Sequence, residues 1–275
     1  MKNSILKNSF IYLALVFFSI IFAGPFIWLL STALKSSEEN IFSYPPSFIP
    51  EKLTFSNFTE VWNTIPMGTY FINSIIVAII SIVLNLLFSS LAAYPLARMD
   101  FKGRNFFFYM ILSTMMIPFQ VIMIPIFIIC MKLNLTNSYL GVILPTSVSA
   151  FGIFLMRQAY LDIPRELEET ALIDGCSPFQ IWLKILVPLT KPAMATLAVF
   201  SFVASWSDFL WPLIIIKDAD KYTLPIGISY LAGAFSANWR LISAGAIISI
   251  IPILILFLFL QKFFISGATE GAVKG

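Results

Sequence analysis

Six apolar runs, near 10–33, 71–97, 106–131, 138–158, 189–215 and 241–263, are separated by shorter polar stretches. Each is about as long as the ~20 residues at ~1.5 Å rise that a helix needs to cross the hydrocarbon core of a bilayer. The pattern predicts an all-α integral membrane protein with six transmembrane helices and both termini on one side. The first run follows Lys2 and Lys7 and extends from Phe10 to Leu30 before Ser31-Thr32-Ala33. It exceeds the ~7–15 residue core of a signal peptide, so a retained first helix is expected.

Several interruptions carry information. Between the first two runs, Tyr44-Pro45-Pro46 begins an irregular stretch, and Phe55, Phe58 and Trp62 then recur at helical spacing with Glu60 on another face. That spacing predicts a short amphipathic helix, either lying at the outer headgroup level or packed as a lid on neighbouring helices. In the second run Ser81, Asn85 and Ser89 lie four apart on one helix face. Two readings stand for them: lining of a substrate path, and interhelical hydrogen bonding. Pro118, Gln120 and Pro125 predict a bent third helix with a freed carbonyl. Asp208, within Ser205-Trp206-Ser207-Asp208-Phe209-Leu210-Trp211-Pro212, is the acidic side chain set inside an apolar run. An intramembrane carboxylate is a functional candidate, but its tryptophan neighbours equally suit an interfacial anchor. Gly245 and Ser249 form a small-xxx-small pair, the signature of a close helix contact.

The polar stretch Arg165 to Pro188, RELEETALIDGCSPFQIWLKILVP, stands out between the fourth and fifth runs. Asp162 is placed to cap a short helix, Pro164 suits its first turn, and Gly175 suits its end. Ile163, Leu167 and Ala171 give this helix an apolar face, with Glu166 and Glu169 off it. Ser177-Pro178-Phe179-Gln180 reads as a capping box that opens a second helix toward Pro188. Two short helices joined by a glycine elbow form a ledge that a partner can grip.

Composition narrows the classes. The chain has 275 residues, 59% hydrophobic and 11% charged, against about a quarter charged in soluble domains, so lipid is its solvent. A net charge of +3, scattered along the chain, argues against nucleic acid. There is no histidine, which removes the usual general base and the commonest metal ligand. Cys130 and Cys176 fall on opposite sides of the expected membrane, so neither a disulfide nor a metal site is expected between them. Lys2, Lys7, Arg98, Lys102, Arg104, Arg157, Arg165, Lys184, Lys191, Lys262 and Lys274 flank the runs on one side, against Lys35, Lys52, Lys132, Lys217, Lys221 and Arg240 on the other. The positive-inside rule therefore places both termini and the 159–188 loop in the cytoplasm.

The 159–188 loop resembles the cytoplasmic coupling loop of importer-type ABC permeases. Their pattern is Glu-Ala-Ala, three residues, Gly, nine residues, then Ile-x-Leu-Pro; this chain has Glu169-Thr170-Ala171, Gly175 and Ile185-Leu186-Val187-Pro188. It departs at Thr170 and Val187 and keeps the spacing. Nearly end to end, the chain is similar to carbohydrate ABC transporter permeases, specifically the smaller six-helix subunit of the maltose type. Leu53–Trp62, Phe71–Ser74, Tyr94–Arg98, Ile117–Gln120, Leu155–Gln158, Trp206–Pro212 and the closing Gly271–Gly275 carry that likeness.

The resemblance implies a type I importer in the cytoplasmic (inner) membrane of a prokaryote. Its partners would be a second, larger permease subunit, an ATPase subunit dimer, an extracytoplasmic sugar-binding protein and membrane lipid. Residues 1–70 would hold the first helix and an outer segment, 71–263 the permease domain, and 264–275 a cytoplasmic tail. Glu168, Glu169, Ala171, Asp174, Gly175 and Pro188 would couple to the ATPase, and Gly271, Val273 and Lys274 of the tail would reach it. No G-x-x-x-x-G-K-[ST] occurs, so this chain would bind no cofactor and ATP with Mg would be used by the partner. Ser81, Asn85, Gln120 and Asp208 remain the candidates for the substrate path. A different cargo, such as glycerol phosphate or a polyamine, and a self-contained secondary transporter are the competing readings. The second is opposed by few intramembrane charges and no evident internal repeat, and a membrane enzyme by the lack of a catalytic constellation.

Overall fold

The computed structural model describes residues 2–232 and 238–270, with side chains described for 10–232 and 238–261. Among the described residues the chain is helical, apart from turns and one isolated bridge between Lys35 and Leu53. Three of the six expected runs are continuous helices long and apolar enough to cross a membrane. These are Phe10–Leu34 within α1 (Lys2–Leu34), α3 (Met67–Arg98), and Trp239–Gln261 within α13 (Trp239–Glu270). The third and fourth runs are bent pairs, Arg104–Met116 with Phe119–Lys132 (102°) and Tyr139–Thr146 with Ala150–Leu161 (48°). A further bent pair, Pro178–Leu189 with Lys191–Trp206 (81°), joins the polar stretch before the fifth run to that run's first helix. Six spans result if each bent pair is one span.

The breaks have local causes. α4 (Arg104–Ser113) tightens into a 3₁₀ turn at Thr114–Met116, and Ile117 is extended (ψ 113°) ahead of Pro118, which precedes α5 (Phe119–Lys132). A residue before proline is driven out of the helical region, so Pro118 ends one helix and its fixed φ opens the next. α6 (Tyr139–Ile143) likewise passes through a 3₁₀ turn containing Pro145. Ser149, extended, then caps α7 (Ala150–Leu161) by accepting the Gly152 N–H at 3.0 Å. The run 189–215 is not one helix: α11 (Lys191–Trp206) stops at Ser207-Asp208-Phe209 before the short α12 (Leu210–Ile215). Ser and Asp compete for backbone groups and so favour such a break.

The chain divides into two compact units, residues 1–68 with 227–251 and residues 69–226 with 252–275. In the first, α2 (Ser56–Thr64) is the short helix expected near Phe55–Trp62. It buries Asn57 and Val61 and leaves Phe55 and Trp62 exposed. Asn57 donates to the carbonyls of Ala33 (2.8 Å) and Lys35 (2.9 Å), fastening α2 beneath the end of α1. Lys35 is fully buried, pairs with Glu39 at 3.4 Å and donates to Ser47 O and Oγ. Gly245 of the small-xxx-small pair does meet a neighbour closely: a Cβ there would lie 3.0 Å from Leu231.

The second unit holds two apolar clusters. One gathers Trp211, Ile215, Ile143 and Val77, with the Trp211 indole donating to Gly141 O at 3.2 Å. A Cβ at Gly141 would lie 2.1 Å from Leu135 O, so only glycine permits that approach. Asn137, at φ +58°, accepts the N–H groups of Lys217 and Asp218 and donates to Asp218 Oδ2 at 2.7 Å. Those hydrogen bonds, from Asn137 and then Lys221, hold the Asp218 carboxyl below its ordinary value. The other cluster, around Met156, Tyr160, Ile181, Trp182 and Leu186, lies beneath the polar ledge.

Candidate functional site

The ledge is built by α8 (Glu166–Ile173), α9 (Pro178–Ile181), a π turn at Trp182–Leu186 and α10 (Val187–Leu189). Asp162 does not cap α8, as its sequence position suggests. It closes α7, its N–H bonding Gln158 O at 3.2 Å, and α8 starts after Arg165, whose carbonyl accepts from Glu168 and Glu169. Three extra residues are consumed because Ile163 still turns back onto Tyr160 O and Pro164 follows it. Glu166, Glu168 and Glu169 then fill the first turn of α8, where negative charge complements the helix N-terminus.

Gly175 ends α8 at φ +83°, a left-handed conformation that costs an L side chain about 1–2 kcal/mol. The Cys176 N–H reaches Ala171 O (2.9 Å) and the Gly175 N–H reaches Leu172 O (3.0 Å), the paired bonds of a Schellman cap. Ser177 and Gln180 then form the expected capping box with both bonds present, at 2.8 and 3.3 Å. Pro188 has no N–H for the carbonyl four residues back, and its ring crowds that carbonyl. The backbone widens just before it, the Val187 N–H reaching five residues back to Trp182 O.

The candidate residues on the ledge separate into two directions. Ala171 is 6% exposed and joins the cluster beneath. Glu168 turns inward, its carboxylate 2.9 Å from Arg98 Nε with side chains 13% and 4% exposed. That contact is misaligned as a hydrogen bond, so it recovers less of the cost of burial than a well-directed pair. Burial accordingly pushes the Glu168 carboxyl above its ordinary value, against the pull of Arg98 and then Arg165. Glu169, Asp174, Gly175 and Pro188 are exposed, as are Leu167, Leu172 and Ile173, the last at 87%. The apolar face expected from Ile163, Leu167 and Ala171 is therefore split, with Leu167 outward. Gly271, Val273 and Lys274 lie outside the described residues.

In the sequence, Arg98, the last residue of α3, is legible only as a flanking charge and as part of the Tyr94–Arg98 stretch, not for its role in the site. Besides Glu168, its guanidinium donates to the carbonyls of Tyr160 and Ile163. It clamps the end of α7 and the start of α8 to the end of α3. An arginine closing a long apolar helix was the available signal, but its partner 70 positions on was not.

The second feature is a cavity of about 410 Å³ among α3, the start of α5, α6 and the turn that follows it to Ser149, α11 and the α11–α12 break. It gathers Ser81, Asn85 and Asp208 with Ser149, Ser201, Ser205 and Phe119. Gln120 is exposed and not among the residues lining this cavity. The α3 polar face makes the interhelical hydrogen bonds expected of it. Asn85 donates to Ser201 Oγ (3.0 Å) and accepts from Ser89 Oγ (2.7 Å) and Ser149 Oγ (3.2 Å), a polar knot joining three helices, and the same face opens on the cavity. Asp208 Oδ1 accepts the Trp211 N–H at 3.4 Å. Among the described residues no cluster of three metal-ligating side chains occurs.

Residues 85–269 match the family model described as "Binding-protein-dependent transport system inner membrane component". The chain is similar to the arabinooligosaccharides transport system permease protein AraQ of Halalkalibacterium halodurans, with 44% identity over 83% of this chain and 82% of that protein. To AraQ of Bacillus subtilis it shows 40% identity over 94% and 92%. Among solved structures, it is similar to a chain of a bacterial ABC transporter involved in the import of the acidic polysaccharide alginate. That match has a TM-score of 0.82 at 25% identity and covers 96% of this chain and 98% of that one.

Proposed function

This chain belongs to the family of binding-protein-dependent transport system inner membrane components, and from that premise we propose that it imports a sugar or oligosaccharide as the smaller permease subunit of an ATP-driven transporter. It is a multi-pass protein of the cytoplasmic membrane. Its 44% and 40% identity to arabinooligosaccharide permeases carries the assignment of cargo. Six spans with both termini in the cytoplasm, following the positive-inside rule, complete the topology. A second, larger permease supplies the other half of the path, two ATPase copies hydrolyse ATP with Mg, and an extracytoplasmic binding protein delivers the sugar.

The ledge is the coupling element. Glu169, Leu172 and Ile173 face outward and form the surface that docks on the ATPase, with Glu169 as its polar anchor. Glu168 and Ala171 fasten α8 to the permease itself, Asp174 and Gly175 set the elbow, and Pro188 sets the bend that leads into α11. Closure of the ATPase pair moves α8 as a rigid body, and Arg98 hands that motion to α3, which carries Asn85 and Ser81 about 20 and about 25 Å away at ~1.5 Å per residue. This is a hinge-and-shear transmission between packed helices. Gly271, Val273 and Lys274 of the tail reach the ATPase pair as a second contact.

The test is ATP-driven sugar uptake by the assembled transporter carrying Glu169→Lys or Gly175→Pro. Both variants should enter the membrane at normal levels and lose transport. Wild-type uptake at equal expression would remove the ledge from the mechanism.

A further inference from the structure

The cavity's charge narrows the cargo. Its polar lining is hydroxyl and amide groups from Ser81, Asn85, Thr146, Ser149, Ser201 and Ser205, with one carboxylate, Asp208, and no lysine or arginine. Much of that polarity is already committed. Asn85, Ser149 and Ser201 satisfy one another, and Ser149 also caps α7. Ser81 and Ser205 have no hydrogen-bond partner recorded within the described residues, and no cation within 4.0 Å pairs with Asp208. Phe119 supplies an apolar face, with its ring 5.6 Å from that of Trp211. A volume of about 410 Å³ lies within the ~300–1,000 Å³ range of small-molecule sites.

We propose that this cavity is a cargo-contact site that accepts a neutral polyhydroxylated ligand, with Ser81, Ser205 and Asp208 as its contact groups and the Asp208 carboxylate excluding anionic cargo. The inference rests on the importer reading and adds to it the charge class of the ligand. An ionised carboxylate takes up to four donors, which sugar hydroxyls supply. A ligand carboxylate or phosphate supplies none and meets a like charge. At about 6 Å and an effective dielectric constant near 20, that repulsion opposes occupancy by roughly 100-fold. By that arithmetic the cavity disfavours an acidic polysaccharide, the kind of cargo named for the solved structure this chain resembles, and an organophosphate.

The test uses the assembled transporter in lipid nanodiscs, with Cys130→Ala and Cys176→Ser removing the native thiols and Ser205→Cys placing one in the cavity. Its labelling rates with cationic and anionic methanethiosulfonates are compared, each normalised to a free thiol in water. The cation should be favoured by roughly 10- to 100-fold, and Asp208→Asn should reduce that preference at least about tenfold. The Asn side chain retains an acceptor for the Trp211 N–H, so that hydrogen bond at the start of α12 persists. Asp208→Glu should restore the preference. Maltotriose should slow labelling in both backgrounds, and trigalacturonate only with Asp208→Asn. A cation preference unchanged by Asp208→Asn, or equal protection by both oligosaccharides with Asp208 present, would overturn the proposal. Failure of the importer reading is separable, because it would show as no ATP-dependent uptake of either sugar whatever the labelling selectivity.

Discussion

Glu168→Ala tests the clamp between α3 and α8 most sharply. The substitution removes the carboxylate 2.9 Å from Arg98 Nε and leaves a guanidinium whose side chain is 4% exposed. A guanidinium does not discard its proton in a protein, so the charge stays buried, balanced only by the carbonyls of Tyr160 and Ile163. Removing one partner of a buried pair typically costs about 3–5 kcal/mol. The burden falls on α8, which has eight residues and buries only Ala171, too short to persist by itself. Hydrogen exchange of the transporter in nanodiscs, read over 161–175, should accelerate by roughly two to three and a half orders of magnitude, or to the intrinsic rate if that is reached first. Protection within α5 should not change. Protection over 161–175 within about threefold of wild type would show that the Arg98–Glu168 contact does not hold the ledge.

Further outcomes follow from other details of the site. Glu168 has its carboxyl raised by burial, so the neutral acid, which unlike alanine still offers Arg98 a carbonyl acceptor, is the favoured form. Its contribution to loop stability is fully present below the ordinary glutamate value and is lost as pH rises through the raised value. Loop protection, corrected for intrinsic exchange, should therefore fall with rising pH across that interval in wild type, and Glu168→Gln should flatten the profile; a rise with pH would contradict the sign. Gly175→Ala meets no atom within 4 Å but sits at φ +83°, so it should cost about 1–2 kcal/mol from backbone strain alone, seen as faster exchange at 170–176, and Gly175→Asn should cost less. Gly152→Ala would place a methyl 2.5 Å from Ser89 Oγ and 2.8 Å from Ser149 Oγ. Forcing that polar knot apart should cost about 1–3 kcal/mol and depress uptake while membrane insertion persists; a thermal midpoint and uptake equal to wild type would count against the knot.

Local chemistry was legible in the sequence where one residue type decides a conformation. Gly175 stops its helix in the left-handed region, Ser177 and Gln180 close their capping box, and Pro118 breaks the third apolar run. The six runs were legible as lengths of apolar chain, and Pro118 marked the bend in the third, but the other sharp bends were not. Bend angles come from 3₁₀ turns, a π turn and caps whose geometry depends on what the helices pack against. Register on the ledge was less legible. Asp162 has the chemistry of a cap, yet Pro164 delays the helix, and Leu167 turns outward. The cavity lay half in view: Ser81, Asn85 and Asp208 meet there, while Gln120 shares their polarity and lies elsewhere. The roles of Ser149, Ser201 and Arg98 were not legible because their partners are 60 or more positions away.

The central claim is that this chain works as one permease within a larger ATP-driven assembly. A gentle-detergent pull-down of the tagged chain from its own membranes, with quantitative mass spectrometry of what co-purifies, tests it most directly. One second permease and two ATPase copies per tagged chain is the result expected. Recovery of the chain alone, or as a homodimer that still transports sugar without ATP, would contradict it and restore the secondary-transporter reading.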